Sequence, residues 1–274
     1  MNPYPNLISE SLLINETVAL LRSFGGRASA VNVVDFVMKI RRPDPLMARL
    51  LVAELIDRDP RLTLDGDSVV LEAGGSEERE LADTEFVVFD LETTGVRTPP
   101  ARVTEIGAYR VRDGQVTGEF HSLVDPQMPI PPFVAQLTGI DDEMVRDAPT
   151  FADIAHDLLS FLGNAVLVAH NSAFDMRFLN YEVGLVFPEY RLANPCLCTV
   201  RLSRKLLPDI VNHKLKTVAE HYDIDLSNHH RAAADAFATA RIFMNLLTKL
   251  QDSGTTDLKT VRKMSSRKYY RYAN

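Results

Sequence analysis

The spacing of apolar residues changes character near residue 85. Before it, three segments carry apolar positions at helical intervals. Asn15 is predicted to cap a helix through Phe24, ended by Gly25-Gly26. Ser29 is predicted to cap a second, with Val31, Val34, Phe36, Val37 and Met38 as its apolar contacts. Asp44-Pro45 marks a third start, because a capping carboxylate precedes a proline at the first helical position. That helix runs from Leu46 to about Asp57 and offers Leu50, Leu51, Leu55 and Ile56 for burial. RLTL-DG-DSVVLE then reads as two alternating strands around an Asp65-Gly66 turn. Residues 73–84, AGGSEERELADT, are polar and glycine-bearing and read as a linker.

From residue 85 the pattern is mixed α/β. FVVFDLE is a short apolar run of the kind that forms a buried strand. RVTEIGAYRVR and QVTGEFHSLVD flank Asp113-Gly114 and predict a hairpin. PIPPFVAQLTG is a proline-punctuated loop leading into a short helix, and residues 150–162 form a longer one. AVLVAH is a second buried strand, followed by a helix from about Ala173. Later helices are expected over about Val200–Leu207, Leu215–Tyr222 and Arg231–Leu250. The first 72 residues, three helices and a hairpin, resemble a small winged-helix domain. The expected organisation is therefore 1–72, a linker over 73–84, an α/β domain over 85–250 and a tail over 251–274.

Composition supports folded domains: 46% of the 274 residues are apolar. No run approaches the roughly 18 apolar residues of a membrane span, and the N-terminus lacks a basic signal-peptide start, so a soluble cytoplasmic protein without membrane contact is expected. Cys196 and Cys198 are too few for a disulfide framework, and buried small residues are the simplest reading; a zinc set with His213 or His221 is the alternative. A net charge of −7 argues at first against a nucleic-acid partner. Its distribution weakens that argument. Residues 81–254 carry 15 basic and 23 acidic side chains, whereas 255–274 carry six basic and one acidic. In that tail, Arg262, Lys263, Arg267, Lys268 and Arg271 interleave with Tyr269, Tyr270 and Tyr272, the composition of a nucleic-acid contact or of a solvated tail.

The acidic residues of the α/β region are placed suggestively. Asp90 and Glu92 end an apolar strand, and a spacing of two sets both on one face. Two carboxylates so placed repel each other unless a cation lies between them. Asp175 falls just inside the helix after the second buried strand, where a first-turn aspartate also suits the helix dipole. Asp235 lies in NHHRAAADAFATA, ringed by alanines that let another backbone or a ligand approach. His230 precedes it by five residues, about 140° around a regular helix, so the two converge only if His230 sits before the helix, with Asn228 or His229 near its start.

Taken in order, FDLETTG, AHNSAFDMRFL and HHRAAADA resemble the three motifs of the DEDDh 3′–5′ exonuclease family, the group that includes proofreading exonucleases of bacterial replicative polymerases. EIGAYRVRDGQV, LTGIDDEMVRDAPTF and HKLKTVAEHYDI extend the likeness over about residues 84–250. The resemblance implies a ribonuclease H-like fold, a mixed five-stranded sheet with flanking helices. It implies two divalent cations, Mg2+ or Mn2+, held by Asp90, Glu92, Asp175 and Asp235. Hard oxygen donors suit such ions, and a pair of them can stabilise the attacking and leaving oxygens of phosphodiester hydrolysis. His230 would be the general base by motif register, with His229 its rival. The backbone of Thr93, Thr94 and Gly95 would hold a terminal 3′ hydroxyl. Leu137 would wedge beside the terminal base and Phe174 stack on one, core packing being the other reading of each. Asn171 would touch the substrate backbone or cap the helix carrying Asp175.

The implied partner is nucleic acid with a free 3′ end, single-stranded or frayed DNA ahead of RNA, in replication proofreading or repair. A regulator that uses the same core as a scaffold is the rival, against which the complete residue set speaks. The third N-terminal helix shows Arg49 and Arg58 against Glu54, Asp57 and Asp59, a poor charge balance for reading duplex DNA. Despite the nearby Lys39, Arg41 and Arg42, this domain is expected to position the chain against a polymerase or repair protein.

Overall fold

A computed structural model describes residues 4–57, 59–72, 79–226 and 229–266. Arg58, positions 73–78 of the expected linker, Asn228 and tail positions 267–274 lie outside the described residues. The chain divides into two compact units, Met1–Gly75 with Val183–Ala193, and Ser76–Glu182 with Asn194–Asn274.

The first unit comprises β1 (Leu7–Ser9), α1 (Leu12–Ser23), β2 (Arg27–Ser29), α2 (Ala30–Phe36), α3 (Pro45–Ile56), β3 (Leu62–Asp65) and β4 (Ser68–Leu71). Strands β2, β4 and β3 form an antiparallel sheet in that order. Ser29 caps α2 by accepting from the Asn32 N–H, and Asp44 caps α3 by accepting from Leu46 and Met47. Asn15, by contrast, does not begin α1. The helix starts after Ser11, whose carbonyl accepts the Asn15 N–H, and the Asn15 side chain donates back to the Glu10 carbonyl. The hairpin turn lies one residue later than expected, because Asp65 pairs with Ser68 and leaves Gly66-Asp67 as the loop. Ala48, Val52 and Ile56 form the buried stripe of α3. Leu50 lies about 200° around from Ala48 and is 65% exposed, so it is not a core residue.

In the second unit, β5 (Phe86–Thr93), β6 (Val103–Arg112) and β7 (Gln115–Leu123) precede α4 (Pro132–Thr138), α5 (Asp142–Val145) and α6 (Phe151–Leu162). Next come β8 (Val166–Ala169) and α7 (Ser172–Val186). The short β9 (Tyr190–Leu192) returns to the first unit to pair with β1. Then follow β10 (Cys196–Cys198), α8 (Thr199–Leu206), α9 (Leu215–His221), α10 (Ala232–Asp252) and α11 (Leu258–Ser265). The sheet is five-stranded and mixed, in the order β10-β8-β5-β6-β7. β8 runs parallel to both β10 and β5, while β5, β6 and β7 are antiparallel neighbours. Asp113 and Gly114 adopt positive φ between Arg112 and Gln115, which pair across the turn. This is the ribonuclease H-like architecture expected from the motifs.

One core joins the sheet to α8, α9, α10 and α11 through Phe86, Val168, Leu197, Phe243, Leu246, Leu258 and Val261. The expected tail is therefore helical in part. Leu258 and Val261 of α11 are fully buried, and Leu258 donates its N–H to the Arg79 carbonyl while Leu81 donates to Thr256. Among the described residues, no helix is long and apolar enough to cross a membrane.

Candidate active site

Asp90 and Glu92 sit on β5 where the strand passes the middle of the sheet, facing the same way. Across the ladder, Asp90 is paired with Gly107 and Glu92 with Glu105 on β6. The start of α10 crosses β6 at Gly107 so closely that a Cβ there would lie 2.5 Å from backbone atoms of Ala232 and Ala233. Only glycine admits this approach. It delivers Asp235, in the first turn of α10, to β5, and one oxygen each of Asp90, Glu92 and Asp235 lie within 4.8 Å of one another.

Asp175 reaches the same place from α7. Asn171 makes the sharp entry into that helix with φ of 79° and accepts the Phe174 N–H on its carbonyl. Asp175 is buried, and its carboxylate takes the Leu91 backbone N–H between the two β5 acids. Burial, then the neighbouring charges of Asp175, Glu92, Asp235 and Glu105, push the Asp90 carboxyl well above the usual carboxylate range. Burial and the charges of Asp235 and Glu105 push Glu92 up to about 8, and burial pushes Asp175 up to about 7. Crowded acids raised in this way hold protons unless a cation replaces them. All-oxygen donors that can ionise together match a hard divalent ion, so the residues fit the metal that the motifs imply.

His230 precedes α10 with φ of 70°, and this left-handed turn brings its backbone N–H to Asp235 Oδ2 at 3.1 Å. His229 Nδ1 lies 2.8 Å from Asp235 Oδ1 and 2.9 Å from Oδ2. The two imidazoles stack with centroids 3.9 Å apart. Burial, and then the neighbouring His229, lower the His230 pKa, against a smaller opposing pull from Asp235.

The expected substrate contacts are distributed more widely. Thr93 and Thr94 are buried; Thr93 donates its hydroxyl to the Gly95 carbonyl, and Thr94 accepts the Arg102 N–H on its own. Phe174 packs on Phe178 at 4.8 Å beneath Arg177 and stays partly exposed. Leu137 is 57% exposed on α4, beside a small separate cluster of Ile130, Val134, Ile140 and Val145, so core packing does not account for it. Cys196 and Cys198 are free thiols on β10, and neither joins a metal-capable cluster among the described residues.

Sequence reasoning missed Glu105. It is fully buried and accepts from Arg231 at 2.9 Å, from the Ala232 N–H at 2.8 Å and lies 2.8 Å from His121 Nε2. Burial raises its pKa, but the hydrogen bonds of Arg231, His121 and Ala232 outweigh it and the carboxyl ends below its ordinary range. Glu105 thus ties the start of α10 to β6 beside Gly107. The available signal was a single acid inside the apolar run VTEIGAY. His170 was missed as well: its Nε2 bonds the His213 carbonyl and its Nδ1 lies 2.8 Å from the Thr199 hydroxyl, while burial lowers its pKa to about 4.

A strand with paired acids, two further helix-borne aspartates and a histidine pair thus converge on one face of a ribonuclease H-like sheet, a set that could hold a divalent ion. Residues 87–243 match the model of the RNase T exonuclease family, and the chain belongs to that family. Residues 87–243 are its exonuclease domain. The DNA polymerase III PolC-type protein of Caldanaerobacter subterraneus subsp. tengcongensis is 41% identical over 203 residues, 73% of this chain and 14% of that protein. Its Bacillus subtilis counterpart is 36% identical over 176 residues, 64% of this chain and 12% of that protein. The chain thus spans about a seventh or less of the length of these relatives. Among solved structures, Exonuclease X in complex with 5′ overhanging duplex DNA is 27% identical with a TM-score of 0.53, covering 66% of this chain and 99% of that one. E. coli Exonuclease I in complex with a dT13 oligonucleotide shares the fold at 19% identity and a TM-score of 0.53, over 63% of this chain and 43% of that one.

Proposed function

We propose that the chain is a metal-dependent 3′–5′ exonuclease that shortens DNA from its 3′ end and releases nucleoside 5′-monophosphates. The convergence of Asp90, Glu92 and Asp235 within 4.8 Å, with Asp175 buried beside them, carries this reading. Two divalent cations, Mg2+ or Mn2+, would supply Lewis acidity toward the phosphate and a more acidic water. Asp90, Glu92, Asp235 and Asp175 would be the residues that hold these ions. His230 takes the proton from the attacking water. Its lowered pKa keeps the ring neutral, and so able to accept, at pH 7. The new P–O bond forms as the bond to the 3′ oxygen of the penultimate nucleotide breaks, and that oxygen leaves with the electron pair. The backbone of Thr93, Thr94 and Gly95 would hold the terminal 3′ hydroxyl, with Asn171 on the substrate backbone. Phe174 and Leu137, both partly or largely exposed, would contact the terminal bases.

His229 is the second reading for the base, because it already touches Asp235. The preference for DNA rests on relatives named for a DNA polymerase and on a similar exonuclease solved with DNA. Proofreading or repair is the proposed setting. The first unit is proposed as a winged-helix-like domain that docks a polymerase or repair protein. Leu46, Met47 and Leu50 stand in solvent on α3, an apolar face that suits protein better than phosphate.

The test is a time course with 5′-labelled single-stranded DNA, duplex DNA and RNA in Mg2+ or Mn2+. Wild type should yield a descending ladder on DNA, and Asp90→Ala should abolish it. No shortening on any substrate refutes the nuclease reading. His230→Ala and His229→Ala separate the two bases: the catalytic histidine is the one whose loss removes the acid limb of the pH–rate profile.

A further inference from the structure

A cleft of about 360 Å³ lies in the second unit, lined in part by Ser172 of the helix that bears Asp175. Four cations line it: Arg201 of α8, and Lys259, Arg262 and Lys263 of α11. No Asp or Glu is among the described residues that line it. In a chain with a net charge of −7, such a one-signed wall needs an explanation.

The wall is built on fixed elements. Leu258 and Val261 anchor α11 in the core, Asp257 caps it by accepting the Thr260 N–H, and Ser265 at its end accepts the Cys198 N–H from β10. Arg201 donates to the Ser265 carbonyl at 3.0 Å, which locks α8 to α11. Lys259 and Lys263 are four residues apart, hence on one face of α11, and both are exposed. Like charges held four apart on a helix are unfavourable without an anion to share. Ser172 and Cys196 also line the cleft. Ser172 opens α7, three residues before Asp175, and the partly buried Cys196 thiol hydrogen-bonds to it while feeling the charges of both Asp175 and Arg201. The basic cleft therefore borders the same first turn of α7 that supplies a metal-type carboxylate.

We propose that this cleft is a phosphate-binding groove that holds the sugar–phosphate backbone of the strand whose 3′ end lies at the carboxylates. It rests on the exonuclease reading and adds to it a source of grip outside the matched residues 87–243, since α11 follows them. A repeating anion, rather than a single phosphate, fits cations spread over two helices. The acids at the catalytic end would repel a strand, and this groove offsets that repulsion along the strand's path.

The test compares the full chain with Lys259→Ala/Lys263→Ala and Lys259→Glu/Lys263→Glu. Two substrates are used: a 20-nucleotide single-stranded DNA, and thymidine 5′-monophosphate p-nitrophenyl ester, which has no backbone to fill the groove. The alanine pair should raise KM for the 20-mer about tenfold, the glutamate pair further, with kcat on the ester unchanged. The slope of log affinity against log salt for the 20-mer should fall by about 1.4, at ~0.7 per cation removed. An unchanged KM and salt slope for the 20-mer overturns the groove, as does an equal loss on the ester. Wild-type protein inactive on both substrates would refute the exonuclease reading instead. Fluorescence anisotropy of the labelled 20-mer in EDTA then decides the groove by itself: equal affinity of wild type and the glutamate pair overturns it.

Discussion

The close crossing of α10 over β6 sets the position of Asp235, and Gly107→Ala perturbs it directly. The added Cβ would lie 2.5 Å from the Ala232 carbonyl carbon and oxygen and from the Ala233 Cα. Carbon atoms in good contact are about 3.5 Å apart, so the first turn of α10 must retreat by about 1 Å. The obstructing atoms are backbone, and Glu105 holds that backbone through the Ala232 N–H, so no side chain can swing aside. Overpacking of this kind costs roughly 1–3 kcal/mol of stability. The catalytic consequence is larger, since Asp235 moves with the turn. A displacement of about 1 Å in a catalytic group costs about 100-fold in rate, or about 2.7 kcal/mol of barrier. The assay is kcat for 3′ shortening of labelled single-stranded DNA at saturating Mg2+, at a temperature where circular dichroism shows both proteins folded. Gly118→Ala on β7 is the control, because its Cβ would meet Phe161 at an ordinary 3.6 Å. Gly107→Ala should lose about 100-fold in kcat and Gly118→Ala less than threefold. A Gly107→Ala protein with kcat within threefold of wild type would refute the argument that this crossing positions Asp235.

Two further outcomes concern stability. Without metal, Asp90, Glu92 and Asp175 titrate above their unfolded values near 4, Glu92 at about 8 and Asp175 at about 7. The folded state then keeps protons that the unfolded chain releases, so their contribution is fully present below about pH 4 and is lost as pH rises through 7 to 8. Mg2+ held by the ionised acids would offset that loss; the rise in Tm on adding Mg2+ should grow between pH 5.5 and 8.5, and a pH-independent rise contradicts the site. Arg102→Ala removes two hydrogen bonds of 2.8 Å from Glu182, whose side chain is 1% exposed, and among the described residues leaves it the Val103 N–H. Urea denaturation should show a loss of about 3 kcal/mol, and a loss under 1 kcal/mol would mean that water replaces the guanidinium.

Much of this was legible along the chain because it is local. Strand periodicity put Asp90 and Glu92 on one face, Ser29 and Asp44 capped their helices, and Asp113-Gly114 closed its hairpin, each decided within a few neighbouring residues. The three-residue strands β1, β2, β9 and β10 were invisible, since so few residues establish no period and distant partners create them. Leu50 misled for a related reason: an apolar residue declares its chemistry, whereas its side of the helix depends on where the neighbours Ala48, Val52 and Ile56 are pressed.

The candidate site divides along the same line. Motif order and spacing nominated Asp90, Glu92, Asp175, His230 and Asp235 by their resemblance to the exonuclease family, with His230 chosen over His229 on motif register alone. Packing alone decided how they meet. Gly107 admits α10, Glu105 fixes its first turn, and the left-handed His230 directs its N–H to Asp235 while His229 takes that aspartate's oxygens. The basic residues near the C-terminus followed suit: their charge was plain in the sequence, but only the burial of Leu258 and Val261 turned part of a tail into the wall of a cleft. Local propensity is written residue by residue, whereas close approach is a property of two surfaces and exists only once both are folded.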